Sequence, residues 1–432
     1  MNNRPPYAPG ARLKRFGPIG LVSLSLLLAG CGSAATATLP ASPTALQTPL
    51  PAPTSTPTPM PTSTLAPTAT AAVSPTLAPI PLSSATFPGP TEAAWPSETV
   101  AGIDTLAKTL LHDVPLAGLT VAVRQGARPA YIQGYGYAEA AAQTPAQAST
   151  VYEIASLTKQ FTAAAIMQLA EQGQLQLDDT AASYLPDLPD AAQAITVRQL
   201  LNHTSGLPRN DYMYLILDQP RLYAPAEVLK VYNQSLKALS FAPGTQWEYS
   251  NMGYFWLGSI IEAVSGQTYG DYLAQHLLGP AGLASTTYCA APPPGLAQGY
   301  QVSGPPWASA KSENLSVAFS AGGLCSTAGD LIKWQQALAG GQVVSAATYQ
   351  AMTTPTTLLN GTPLSYGYGL KVGDYGGAPA VYHQGQVAGF NSILAYYPEE
   401  DLTVVLLTNT EAPIDPLDQA VDKIRVLVAG AP

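Results

Sequence analysis

Charge is scarce in this 432-residue chain. Asp, Glu, Lys and Arg make up only 10% of it, against about a quarter in ordinary soluble domains. The shortage is local: residues 16–91 contain no charged side chain, while all 27 acidic and 14 of the 18 basic residues lie beyond that stretch. The C-terminal part is therefore strongly acidic, which repels phosphate backbones and argues against a nucleic-acid partner. Long apolar runs are missing too. The run at residues 19–30 falls well short of the ~20 residues of a spanning helix. Histidine occurs four times, at His112, His203, His276 and His383. None stands in a spacing of the H-x-x-E-H kind, so no metal and no cofactor is expected. Cysteine occurs three times, at Cys31, Cys289 and Cys325.

What is present begins with a targeting segment. Arg4, Arg12, Lys14 and Arg15 precede the short apolar run, which ends in Leu28-Ala29-Gly30-Cys31. That order resembles the lipobox of bacterial lipoprotein signal peptides. The resemblance implies a signal peptide over 1–30 and a lipid on Cys31, anchoring an extracytoplasmic protein to a bacterial membrane. The alternative is an ordinary signal peptide with a chance cysteine. Residues 31–96 then read as a stalk of Ala, Thr, Pro and Ser, as in TPLPAPTSTPTPMPTSTLAPT. Such a segment buries no core, and its prolines favour extended polyproline II reaching on the order of 100–200 Å. Outside the cytoplasm, Cys289 and Cys325 are candidates for a disulfide, with two independent buried thiols as the alternative.

The remainder, residues 97–432, reads as one domain. A helix is expected over 98–111, then a hairpin about Gln125-Gly126 in GLTVAVRQGARPAYIQGYGYA. EIASLTKQFTAAAIMQLAEQG carries Ala, Ile, Met and Leu at helical spacing and closes at Gly173. Helices and long loops follow, an inserted helical lobe at about 176–325. STAGDLIKWQQALAGG reads as a helix with Ser326 or Thr327 near its N-cap. SYGYGLKV, AVYHQG, FNSILAYYP and LTVVLLTN read as consecutive antiparallel strands, and a last helix spans about 415–428. Strands at both ends with helices between predict an α/β (α+β) fold: one antiparallel sheet drawn from both termini, flanked by helices.

Chemistry concentrates at Ser156 and Lys159. Residues three apart share a helix face, so the hydroxyl and the amine can meet. A lysine shielded from water has its pKa lowered and can accept a proton near neutrality. The helix start adds unpaired N–H groups and positive dipole beside the hydroxyl. Nucleophile, base and oxyanion stabilisation are the parts of acyl transfer. The bland alternative is an N-cap serine and a surface lysine. Against it, no other lysine in the chain has a serine three positions before it. Two further elements follow in the order of the penicillin-binding pattern, Tyr249-Ser250-Asn251 and His383-Gln384-Gly385. A rival second element, Ser312-Glu313-Asn314, reads as solvated surface.

Over about 99–428 the chain resembles the serine β-lactamase-related hydrolases close to class C β-lactamases, a family that also holds D-Ala-D-Ala carboxypeptidases, D-aminopeptidases and esterases. YEIASLTKQFTAAAIMQLAEQGQLQLDD, LLNHTSGLP, FAPGTQWEYSNMGYFWLGSIIE, AGGLCSTAGDLIKW and HQGQVAGFNS carry the resemblance. It implies a β-lactamase/transpeptidase-like fold with Ser156 as acylated nucleophile. Lys159 and Tyr249 would transfer protons, and Asn251 would bind the substrate amide or orient Lys159. The backbone N–H groups of Ser156 and of Gln386, just after Gly385, would form the oxyanion hole. His203 reads as structural. Where class C enzymes usually carry lysine this chain has His383, expected here to meet a substrate carboxylate with a charge that titrates near neutrality, the alternative being a histidine that only donates a hydrogen bond holding its strand in place. The expected activity is hydrolysis, through an acyl-enzyme, of cell-wall-type D-amino-acid peptides or of small esters and amides. The alternatives are a class C-like β-lactamase and a non-catalytic penicillin-binding or sensor domain. The partner implied is a small-molecule or peptide substrate; the sequence does not set an oligomeric state.

Overall fold

The computed structural model describes residues 95–209, 221–311 and 314–430. The expected signal peptide, Cys31, the stalk as far as residue 94, and Ser312 and Glu313 of the rival motif lie outside the described residues. The chain opens with helix α1 (Ser97–Asp113) and the hairpin β1 (Gly118–Gln125) and β2 (Tyr131–Glu139), followed by the short strands β3 (Thr144–Pro145) and β4 (Tyr152–Glu153). Helix α2 (Thr158–Glu171) leads into α3 (Val197–Leu201), α4 (Pro225–Ser235), α5 (Asn251–Ser265) and α6 (Tyr269–Leu273). Then come β5 (Thr287–Tyr288), β6 (Tyr300–Gln301), α7 (Leu315–Gly322), β7 (Leu324–Ser326), α8 (Ala328–Ala339) and α9 (Ala346–Thr353). Strands β8 (Lys371–Asp374), β9 (Pro379–Val387), β10 (Phe390–Tyr397), β11 (Leu402–Thr408) and β12 (Thr410–Glu411) precede the last helix, α10 (Ile414–Ala429).

The main sheet has seven strands in the order β3-β2-β1-β11-β10-β9-β8, with every neighbouring pair antiparallel. The two ends of the domain meet in it, because β1 pairs with β11 from Leu119↔Thr408 to Gln125↔Leu402. On one face Leu119, Val121, Val123, Ile393, Val404 and Leu406 pack against Ile103 of α1 and Leu417, Val421 and Ile424 of α10. On the other, Ala122, Leu394, Val405 and Leu407 join the core of the helical lobe, with Phe161 of α2 stacked on Trp334 of α8 at 3.9 Å. A strand covered by helices on both faces is apolar throughout, and LTVVLLT of β11 is buried at every residue. The fold is thus β-lactamase/transpeptidase-like, an antiparallel sheet with helices on both sides.

One strand is shorter than its pattern. In SYGYGLKV only Lys371–Asp374 belongs to the sheet. A Cβ on Gly367 would fall 2.0 Å from the Met352 carbonyl oxygen, and one on Gly369, at φ +73°, 2.6 Å from that of Lys159. These glycines let the chain fold down onto α9 and α2 instead of continuing the strand. The alternation of aromatic and glycine comes from that packing, and it carries Tyr366 inward. At α8 the cap is Thr327, whose hydroxyl accepts from the Asp330 N–H at 3.2 Å. Cys289 and Cys325 are joined as a disulfide, with Cα atoms 5.6 Å apart across a separation of 36 residues.

Candidate active site

Ser156 lies in a single 3-10 turn, Ala155–Leu157, that runs straight into α2. Ala155 before it takes φ +48°, a left-handed conformation that side chains other than glycine rarely adopt. Two strands hold the turn. The Ile154 N–H donates to the Leu324 carbonyl at 3.0 Å, and Ser392 Oγ of β10 donates to the Ile154 carbonyl at 2.7 Å. Gly385 of β9 lies against the same turn. A Cβ there would stand 2.4 Å from Ser392 Oγ, 2.5 Å from the Ile154 oxygen and 3.0 Å from Ala155 Cβ, so this close approach requires glycine. Gln386, the next residue, is exposed and pairs with Asn391 of β10.

Lys159 is fully buried. Its Nζ is 2.8 Å from Asn251 Oδ1, 2.7 Å from the Ala321 carbonyl oxygen and 3.2 Å from Ser156 Oγ. None of these three partners is a carboxylate. Burial accordingly pushes the amine well below its usual pKa. A neutral amine has two N–H groups and one lone pair. Asn251 Oδ1 and the Ala321 carbonyl can only accept, so in the neutral form they would take the two protons and leave the lone pair facing the Ser156 hydroxyl. Asn251 thus orients Lys159 from the first turn of α5, where Ser250 Oγ accepts from the Gly253 N–H at 3.2 Å. The Tyr249 ring lies under the amine, its centroid 4.8 Å from Nζ, and the Tyr254 ring lies 5.5 Å away.

His383 differs from expectation. Its side chain is only 1% exposed. Nδ1 lies 2.7 Å from the Gln384 carbonyl and Nε2 lies 3.1 Å from the Tyr366 hydroxyl. Desolvation, with the nearby Lys159 and Lys371 ammonium positions acting in the same sense, lowers its pKa to about 3. The ring is therefore neutral at pH 7, with both nitrogens engaged inside the protein, and it does not present a titrating cation to a substrate carboxylate. His203 is buried as well, at φ +62°. Its Nδ1 accepts from the Ser250 N–H at 3.1 Å, and its Nε2 is 3.2 Å from the same Tyr366 hydroxyl. Burial also holds its pKa well below the usual value.

The structure therefore gathers Ser156, Lys159, Tyr249, Asn251, His383 and Gly385 into one cluster. Sequence reasoning missed the Ala321 carbonyl and the Tyr366 hydroxyl. A carbonyl has no residue-type signature, whereas Gly367 and Gly369, just after Tyr366, were a usable sign of close packing. Asn314 of the rival motif caps α7, accepting from the Ser316 N–H at 3.1 Å. Among the described residues no group of three or more His, Cys, Asp or Glu is placed to hold a metal, and no helix is long and apolar enough to cross a membrane.

Comparison with known proteins follows the same outline. The family described as Beta-lactamase matches residues 103–429. A penicillin-binding protein of Bacillus subtilis (strain 168) is 31% identical over 72% of this chain and 71% of its own length. A D-aminopeptidase of Brucella anthropi is 29% identical over 68% of this chain, which spans 56% of that longer protein. The crystal structure of D-amino acid amidase from Ochrobactrum anthropi SV3 complexed with L-phenylalanine amide superposes with a TM-score of 0.66 at 25% identity, covering 77% of this chain and 99% of that one.

Proposed function

The chain belongs to the Beta-lactamase family, and from that premise we propose that it is a serine hydrolase working through an acyl-enzyme on amides and esters of the D-amino-acid type. The observation that carries the reading is the buried Lys159 Nζ, 2.8 Å from Asn251 Oδ1, 2.7 Å from the Ala321 carbonyl oxygen and 3.2 Å from Ser156 Oγ, with burial lowering its pKa. In the first step Ser156 Oγ bonds to the substrate carbonyl carbon and its proton passes to Lys159. The carbonyl oxygen turns toward the N–H groups of Ser156 and Gln386. The C–N or C–O bond then breaks, and the leaving amine or alcohol takes a proton through Lys159 and Tyr249. Water repeats the sequence on the acyl-enzyme, returning the hydroxyl to Ser156.

The neutral His383 narrows the substrate. A site without a fixed cation on β9 gains nothing from a carboxylate beside the scissile bond, as in a penicillin or a terminal D-Ala-D-Ala. An amide or ester lacking that carboxylate loses nothing. This favours the peptidase and esterase readings over a class C-like β-lactamase. The names D-aminopeptidase and D-amino acid amidase among the relatives support the same direction. The test is intact-mass spectrometry with a fluorophosphonate, together with turnover of D- and L-alanine amide, a neutral ester and a penicillin. An adduct lost in Ser156→Ala, with D-amide or ester turnover above penicillin turnover, is expected. An adduct that survives Ser156→Ala sinks the mechanism. Adduct formation without turnover of any substrate points to a sensor domain.

A further inference from the structure

We propose that Tyr366 is a positioning residue, the centre of a one-way hydrogen-bond relay that ties the Tyr249–Asn251 segment to strand β9 beside the candidate active site. The inference rests on the hydrolase reading for its purpose, but its geometry stands alone. At one end the Ser250 N–H, between Tyr249 and Asn251, reaches His203 Nδ1 at 3.1 Å. A backbone N–H only donates, so Nδ1 of His203 is an acceptor and the proton of this neutral ring sits on Nε2. That Nε2 lies 3.2 Å from the Tyr366 hydroxyl oxygen, to which it donates. At the other end the Gln384 carbonyl only accepts, so His383 Nδ1, 2.7 Å away, carries the proton of its ring. His383 Nε2 is then bare and takes the Tyr366 proton at 3.1 Å. The donors run in one direction, with the Tyr254 oxygen beside His383 Nε2 as a second acceptor for the Tyr366 proton, and the two ends hold each ring in a single tautomer.

The neighbours leave this assignment intact. Tyr254 packs on His203 with ring centroids 5.1 Å apart and also hydrogen-bonds the Tyr366 hydroxyl, but its own proton goes to the Leu201 carbonyl at 2.6 Å, so toward Tyr366 it can only accept. Burial and the nearby Lys371 disfavour a second proton on the His383 ring, and Lys159 does so whenever it is charged. Gln384 is latched from the opposite face, where its Nε2 donates to Asp418 Oδ1 and Oδ2 of α10 at 2.7 and 2.8 Å. The carbonyl that ends the relay thus belongs to a residue tied to the terminal helix. The purpose follows from where the ends lie. One end sits between Tyr249 and Asn251, the other at the residue next to Gly385. A fixed relay keeps the residue that orients Lys159 and the strand facing Ser156 at one separation, and misplacement of about 1 Å in such a constellation costs on the order of 100-fold in rate.

The first measurement is 15N NMR of the histidine side chains at pH 7. The chain has four histidines, and His112→Gln with His276→Gln leaves the two of interest. His203 is expected as the Nε2–H tautomer and His383 as the Nδ1–H tautomer. The opposite tautomer at either ring, or a charged ring, overturns the relay. The second measurement is the Tyr366→Phe variant, which leaves His203 Nε2–H and His383 Nε2 without partners. It is expected to lower kcat roughly 10- to 100-fold with KM for a neutral ester changed less than about 3-fold, and to mix the His383 tautomers. Wild-type kcat together with unchanged tautomers in Tyr366→Phe overturns the proposal. The NMR reading on the otherwise native protein needs no turnover. It therefore decides the relay even where the variant misfolds, and separates failure of the relay from failure of the hydrolase reading.

Discussion

At the scale of single residues the site contains three basic groups whose pKa values burial lowers: Lys159, His203 and His383. A base that is neutral when folded and charged when unfolded makes stability depend on pH, and the sign is fixed by linkage. The folded His383 pKa, about 3, lies below the unfolded value of 6.5. Between those two values the unfolded chain binds more protons, so its contribution to stability is complete above pH 6.5 and is lost as pH falls toward 3. The direction at His203 is the same. A shift of one pKa unit corresponds to about 1.4 kcal/mol, so the pair makes a large term. The urea midpoint should therefore fall steadily from pH 7 to pH 5 at constant m-value. In His383→Gln the midpoint should fall less steeply over that range. Equal slopes in the two proteins would show that His383 is not held neutral in the fold.

At the scale of elements, the turn that presents Ser156 is held by pieces distant in sequence, and the disulfide is one of its supports. Cys325 lies in β7, which pairs with β4 at Glu153↔Cys325 and with β5 at Thr287↔Cys325, while Cys289 follows β5 directly. The bridge closes a loop of 36 residues of separation. Chain-entropy reasoning gives such a loop about 3–4 kcal/mol, with engineered examples often yielding less. Cys289→Ser with Cys325→Ser should lower the stability by about that amount in urea unfolding. Because β4 leads directly into the nucleophile turn, kcat should fall as well. A loss of stability with unchanged kcat would place the bridge outside the active-site support. Such pairings explain what the sequence made legible. Strands β9, β10 and β11 stood out because antiparallel runs of alternating or wholly apolar residues have few other uses. The segment around Tyr366 shows the limit. Its alternation resembles a strand, and only Gly367 and Gly369, pressed against Met352 and Lys159, reveal that it packs inward instead. Ser156, Lys159, Tyr249 and Asn251 were readable because their side-chain types and spacing express their chemistry. The state of His383 was not, because burial depends on neighbours brought in from α2 and the Tyr366 segment.

At the scale of the whole molecule, everything that builds the site belongs to the part of the chain beginning at Trp95. The cores on both faces of the sheet are composed of residues from Trp95 to Ile424. Trp95 itself is buried, its Nε1 donates to the Pro129 carbonyl at 2.9 Å, and the Arg128 guanidinium stands 5.4 Å from its ring centroid. It fastens the start of α1 to the β1–β2 hairpin. Removal of residues 1–94 should therefore leave the urea midpoint unchanged and kcat within about 2-fold of the full chain, since only buried contacts set either quantity to first order. Trp95→Ala in the shortened protein should cost about 3–5 kcal/mol, the usual range for deleting a buried tryptophan side chain. For the removed part we propose a different task, since Leu28-Ala29-Gly30-Cys31 resembles a lipidation signal and the segment after it has the composition of a stalk. In bacterial cells the full chain should enter the detergent phase on Triton X-114 partitioning and Cys31→Ser should move it to the aqueous phase with its hydrolase activity intact. Detergent-phase recovery of Cys31→Ser would rule out lipid on that cysteine as the anchor, and loss of activity on removing residues 1–94 would show that the hydrolase domain does not stand alone.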